Sequence, residues 1–242
     1  MLLKQLFKFQ PATVLLWVQA AFLLVLLAFG FITSETVVFG YFFETIIIGF
    51  IHIIKLFLVI KHGKPDKPDA NSMSGYGMLV FFLFHYGMFV AIQLIFAFSF
   101  FEGVMEGIES GFELLHNFKV LLNSEGMLIM LGSLLLTNLG YFYSNFWITF
   151  KYKEYAPSEI FFSPYVRIVI QQLVVILSGF FFVFLQAGFV AAVLLLVLRL
   201  FIDLVMVTIR KDSDFLNKLA FMLVKNGQDP QEVREQLEKL SE

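Results

Sequence analysis

The stretch TVVFGYFFETIIIGFIHIIKLFLVI, residues 36–60, carries three ionisable side chains, Glu44, His52 and Lys55, in an otherwise uncharged and mostly apolar run. A helix over these residues would be about 37 Å long at about 1.5 Å per residue, enough to cross a hydrocarbon core about 30 Å thick. Inside lipid every backbone N–H and C=O must be satisfied within its own segment, which a helix achieves and an open strand does not. This run therefore reads as a transmembrane helix and sets the expectation for the rest of the chain.

Runs of the same kind recur at 12–32, 78–101, 126–150, 167–187 and 189–209, so the sequence predicts an all-α polytopic bundle of six spans. Composition agrees. The 242 residues are 59% hydrophobic and 15% charged, with 33 phenylalanines, far from the roughly one-quarter charged content of soluble domains. Lys4 and Lys8 before the first run, and Ala28-Phe29-Gly30 near its end, resemble the flanks of a signal peptide. The run exceeds the roughly 7–15 residues of a signal core, so it reads as a retained helix. A net charge of −2 and the lack of a basic, aromatic-studded surface exclude nucleic acid as an expected partner, and the absence of cysteine removes disulfides and thiolate chemistry.

Lys and Arg concentrate in alternate connections: Lys4 and Lys8; Lys61, Lys64 and Lys67; Lys151, Lys153 and Arg167; and a tail from Arg210 to Lys239. The segment 102–125 instead holds Glu102, Glu106, Glu109, Glu113 and Glu125 against Lys119. Positive charge is retained in the cytoplasm, so both termini are expected there. Residues 1–210 then form the transmembrane domain and 211–242 a cytoplasmic helical tail, opened by Asp229-Pro230 before QEVREQLEKL. The loop KHGKPDKPDANSMSGYG at 61–77 is expected to be flexible. Val104, Ile108, Phe112, Leu115, Phe118 and Leu122 predict an interfacial helix over 104–122.

Ionisable groups at membrane depth are costly and usually face the bundle interior. His52 and Lys55 share one helical face with Glu44; the third span carries His85 and Gln93, the fourth Asn138 and Asn145, and the fifth Arg167, Gln171 and Gln172. In the sixth, Arg199 and Asp203 are spaced i,i+4 for an ion pair. Most of these fall in the cytoplasmic half, which predicts a cytoplasm-facing polar pocket. Glu44, Lys55, Arg167, Arg199 and Asp203 are its candidate ligand-binding residues, and His52 and His85 its candidate proton-transfer catalysts. Each has a plainer reading. Lys55 and Arg167 would snorkel, Arg199 and Asp203 would pair structurally, and the amides and Gly40, Gly49, Gly87, Gly132, Gly140 and Gly179 would serve helix packing. A metal would draw on His52, His85 and Asp203, but the nearby cations favour an anionic small molecule or lipid headgroup instead. No cofactor is indicated, and no Gly-x-Ser-x-Gly elbow supports serine hydrolysis. A proton- or ion-coupled transporter, with six spans calling for a homo-oligomer, an intramembrane metalloenzyme, and an accessory subunit of a membrane complex stand as alternatives.

YFFETIIIGFIHIIKL at 41–56 and FFLFHYGMF at 81–89 resemble a family of uncharacterised bacterial integral membrane proteins carrying a domain of unknown function, over spans two through six. The resemblance implies a multi-pass place in the bacterial inner membrane and marks Glu44, Gly49, Lys55, His85, Gly87, Arg167 and Asp203 as family-typical positions. It implies no activity. Members show further histidines where this chain has Gln93 and Gln171, which weighs against a histidine-rich metal site.

Overall fold

The structure is a computed structural model that describes residues 6–7, 11–66, 75–103, 105–165, 168–169, 173, 176, 180, 187–211, 213–224 and 229–240. Among the described residues every regular element is a helix. In chain order these are α1 (Pro11–Ala28), α2 (Ser34–His62), α3 (Tyr76–Phe101), α4 (Leu114–Leu122), α5 (Met127–Phe142), α6 (Pro157–Ile160), α7 (Gly188–Lys211), α8 (Ser213–Leu223) and α9 (Pro230–Leu240). By length and composition α2, α3, α5 with its extension to Trp147, and α7 can cross a membrane, which makes four among the described residues. The fifth expected span, with Arg167, Gln171 and Gln172, lies largely outside them.

The first expected span ends early, for a local reason. Gly30 adopts φ +75°, its N–H donates to Leu27 O (3.2 Å), and the Phe31 N–H donates to Leu26 O (2.8 Å). This is a glycine-capped C-terminus that satisfies the last carbonyls of α1 and stops it at Ala28, not residue 32. Eighteen helical residues rise about 27 Å, just short of the hydrocarbon core. α2 is capped by Thr33, whose Oγ1 accepts from the Thr36 N–H (3.2 Å), and runs 29 residues from Ser34 to His62.

α2 is the axis of the bundle, packing against α3, α5 and α7, while α1 packs on α7 and α5. Two glycines allow the close approaches. A Cβ at Gly40 would meet Met130 Sδ at 2.5 Å, and one at Gly49 would meet the Tyr86 ring at 2.4 Å. That ring cannot easily move aside. Its hydroxyl donates to Thr45 O (2.6 Å) and it stacks on Phe82 at 4.8 Å. Gly87 and Gly132, expected to serve the same purpose, have nothing within 4 Å of a built Cβ; Gly140 faces only Leu15 Cδ2 at 3.2 Å, and Gly179 lies outside the described residues.

Three further expectations are corrected. The interfacial helix forms only over Leu114–Leu122, because Gly103 (φ +70°) and Gly107 (φ +84°) turn the chain before it. Asn117 Nδ2 then donates to Ser110 O (2.8 Å), and Phe118 stacks on Phe43 at 5.0 Å, so α4 folds onto the bundle end. Only the first part of the connection expected to be flexible is corrected, since it is helical through His62 and pinned as far as residue 66: the Lys64 N–H donates to Tyr155 O (2.9 Å), and Asp66 Oδ1 accepts from the Ser158 N–H (2.9 Å). Its residues 67–74 lie outside the described set. The fourth run leaves regular α-helix at Phe142, continues as a π turn over Tyr143–Trp147, and breaks at Phe150 (φ 55°). In the tail, α8 and α9 pack on one another, and Asp229 Oδ1 accepts from the Gln231 N–H (3.0 Å) at the start of α9.

The two kinds of glycine should separate experimentally. Gly49→Ala should lower stability by about 1–3 kcal/mol, as overpacking does, whereas Gly87→Ala should be neutral or gain up to about 1 kcal/mol from helix propensity. Thermal unfolding of detergent-purified variants measures both, and equal loss at the two positions would contradict the packing described.

Candidate functional site

Glu44 lies on α2 where the helix is sheathed by α5 and α7, and its carboxylate is almost sealed from solvent. Its Oε1 accepts from Arg199 Nη2 of α7 (2.7 Å) and from Asn138 Nδ2 of α5 (2.7 Å). Asn138 Nδ2 also donates to Leu134 O one turn earlier (2.9 Å). Arg199 Nε meets Asp203 Oδ2 at 2.9 Å, the i,i+4 pair the sequence suggested, and the guanidinium carbon lies 5.6 Å from the Tyr41 ring. One guanidinium is thus held between two carboxylates, with side-chain exposures of 2% for Glu44, 5% for Arg199 and 12% for Asp203. Charge-assisted bonds of this length in a low-dielectric interior are strong, and both charges of the Glu44–Arg199 pair are hidden together.

The network borders a cavity of about 90 Å³. Its wall is assembled from five parts of the chain: Leu16 and Gln19 of α1; Glu44, Ile48, Ile51, His52 and Lys55 of α2; Thr137 to Phe146 of α5 and its π turn; Ser163 and Pro164; and Asp203, Met206 and Val207 of α7. Arg199 is not among the lining residues. The wall is therefore acidic at Glu44 and Asp203, neutral and polar at Gln19, Thr137, Asn138, Asn145 and Ser163, and basic at Lys55, whose Nζ lies 4.9 Å from the Phe146 ring centre. His52 is buried, packs on Phe82 at 4.8 Å, and presents an Nε2 with no hydrogen-bond partner among the described residues. A space of this size holds several water molecules or a small polar group.

Of the expected site residues, Glu44, His52, Lys55 and Asp203 meet at the cavity, and Arg199 stands at its edge through its two carboxylates. His85 is separated from them. It is exposed, shares a hydrogen bond with the Tyr165 hydroxyl (2.8 Å) and stacks on Phe81 at 5.2 Å. The two histidines do not line one cavity. Arg167 lies outside the described residues, and among those described no three His, Asp or Glu side chains are grouped to hold a metal. Sequence reading missed Tyr41, Gln19 and Ser163. Tyr41 was findable from its i,i+3 spacing to Glu44, and Gln19 as an amide inside an apolar run; nothing in the sequence marks Ser163.

Removing one partner of a buried pair strands the other charge. Arg199→Gln should cost about 3–5 kcal/mol in thermal or denaturant unfolding, whereas Asn138→Ala should cost only about 1 kcal/mol. In a double-mutant cycle Glu44→Gln and Arg199→Gln should show a coupling above about 1 kcal/mol; additive losses would mean that the pair is not formed.

No curated protein and no solved structure matches the chain. A family model does, over residues 2–218, and so takes in α1 as well as the region of resemblance noted above. The chain belongs to that family, a family of unknown function named DUF6498.

Proposed function

We propose that the protein is a six-span inner-membrane bundle with both termini in the cytoplasm, whose cavity opens on the cytoplasmic side and binds a small polar solute. The observation that carries this reading is the depth of the lining. Apart from Glu44 and Ile48, the cavity residues on α2, α5 and α7 lie on or toward the helix ends at His62, Trp147 and Lys211, and those on α1 toward Pro11. Those ends join the Lys-rich connections that positive charge places in the cytoplasm. α1 and the run 167–187 supply the first and fifth crossings in this arrangement.

The geometry redirects the expected ligand. Arg199, the strongest anion-binding candidate, is engaged by Glu44 and Asp203, so among the described lining residues Lys55 is the cation left to hold an anion. In this reading solute enters from the cytoplasmic side, and the nearly sealed Glu44–Arg199 pair stands at the inner end of the cavity. Binding at a one-sided site fits this geometry better than a through-path for transport.

The chain has no cysteine, so single engineered cysteines report cleanly on side and solvent access. Asn145→Cys, on the cavity wall, should react with a charged, membrane-impermeant thiol reagent supplied from the cytoplasmic face only. Glu109→Cys, in the acidic segment, should react from the opposite face only. Reaction of both from one face would overturn the topology, and an inert Asn145→Cys would remove the water-accessible cavity.

A further inference from the structure

Resting on the membrane bundle and the orientation given above, we propose that the turn from Phe150 to Lys153, together with the end of α2, binds the phosphate headgroup of an anionic phospholipid in the cytoplasmic leaflet. Position is the starting point. α2 and the extended α5, both able to cross a membrane, end at His62 and Trp147, so the residues just beyond them stand at headgroup level. The two ends are tied together: the Lys64 N–H donates to Tyr155 O (2.9 Å), and a Cβ at Gly63 would meet the carbonyl oxygens of Tyr155 and Tyr152 at 2.5 and 2.8 Å. Lys61, Lys64 and Lys153 are exposed here, and their ammonium groups have no hydrogen bond or ion pair among the described residues. Of the acids nearby, Asp66 and Glu159 accept from the N–H groups of Ser158 and Ala156 (2.9 Å each), and Glu154 is exposed.

The backbone supplies a second, independent observation. Phe150 holds a positive φ (55°), a conformation that bulky side chains rarely adopt and that tends to mark a functional position. Its ring is 55% exposed, and the Lys153 N–H donates to its carbonyl oxygen (2.9 Å), closing a tight turn. The Lys153 ammonium is thereby held over two rings, 4.9 Å from the Phe150 centre and 5.9 Å from that of Tyr152. Tyr152 is itself flanked by His62 at 5.9 Å and Trp147 at 6.1 Å. A lysine resting on ring faces is positioned in advance and keeps N–H donors for a phosphate oxygen. The exposed Trp147 and Phe150 rings suit the glycerol and upper acyl region beside it, where aromatic side chains concentrate.

The test uses the full chain in nanodiscs made from an equimolar mixture of phosphatidylglycerol and phosphatidylcholine, with retained lipid counted by native mass spectrometry. Phosphatidylglycerol should be retained in excess, and Lys153→Gln should lower that excess about fivefold, the weight of one lysine near an anionic surface. Phe150→Gly, which accepts the positive φ and removes only the ring, should lower it too. Lys218→Gln, at an exposed lysine of α8, should leave it unchanged. An undiminished excess in Lys153→Gln or Phe150→Gly overturns the site, and an equal fall in Lys218→Gln overturns it in favour of diffuse attraction. Saturable binding of soluble glycerol phosphate without any lipid preference overturns the lipid and assigns a free phosphate ester. Absence of the excess while Asn145→Cys is labelled from the cytoplasmic face rejects the lipid site and leaves the topology standing; labelling of Asn145→Cys from the opposite face rejects the leaflet together with the topology.

Discussion

A guanidinium buried among helices long and apolar enough to cross a membrane has to be met by carboxylates, and Arg199 is met from two directions, by Glu44 of α2 and by Asp203 of its own α7. The pair fixes more than charge. It sets the register of α7 against α2, since a shift of one residue would swing Arg199 about 100° away from Glu44. Asn138 brings α5 to the same oxygen, so three helices are tied at one point by two bonds of 2.7 Å. Between apolar helices in lipid there is little hydrophobic driving force to choose a register, and polar ties of this kind together with close glycine contacts have to supply it. Gly40 against Met130 and Gly49 against Tyr86 flank Glu44 along α2 and work alongside the ion pair.

The same tie shapes the cavity. The Glu44–Arg199 pair stands beside the space, and polar residues further along α2, α5 and α7 line it. The buried His52 Nε2, which has no hydrogen-bond partner among the described residues, is what the packing role of the network does not account for.

Much of this was legible in the sequence where a local rule applied. The long apolar runs marked α2, α3, α5 and α7, and the i,i+4 spacing of Arg199 and Asp203 gave their pairing directly. Glu44, His52 and Lys55 shared a face at 100° per residue and do line one cavity. What failed required knowledge of partners or of backbone torsions. His85 lies at a similar depth but is exposed and bonded to Tyr165, not to the cavity residues, and depth does not say which way a side chain points. Arg199 looked available to an anion because its second carboxylate sits 155 positions away in the chain. The glycines split by neighbour, not by context: Gly49 is crowded by a hydrogen-bonded tyrosine whereas Gly87 faces open space.

The π turn at Tyr143–Trp147 follows from the way α5 lines the recess. Thr137, Asn138, Tyr141, Phe142, Asn145 and Phe146 all border it, in pairs spaced four residues apart. In an undisturbed α-helix a four-residue step overshoots a full turn by about 40°, so by the third pair the stripe would have rotated about 80° away from the cavity. The wider turn, in which the Ile148 N–H reaches back five residues to Tyr143 O (3.1 Å), advances less per residue and draws the stripe back. Asn145 and Phe146 are thereby held on the wall opposite Lys55, whose ammonium lies over the Phe146 ring. The distortion therefore sits where the helix has to keep facing one point, and regular hydrogen bonding is given up there in favour of a straight polar wall.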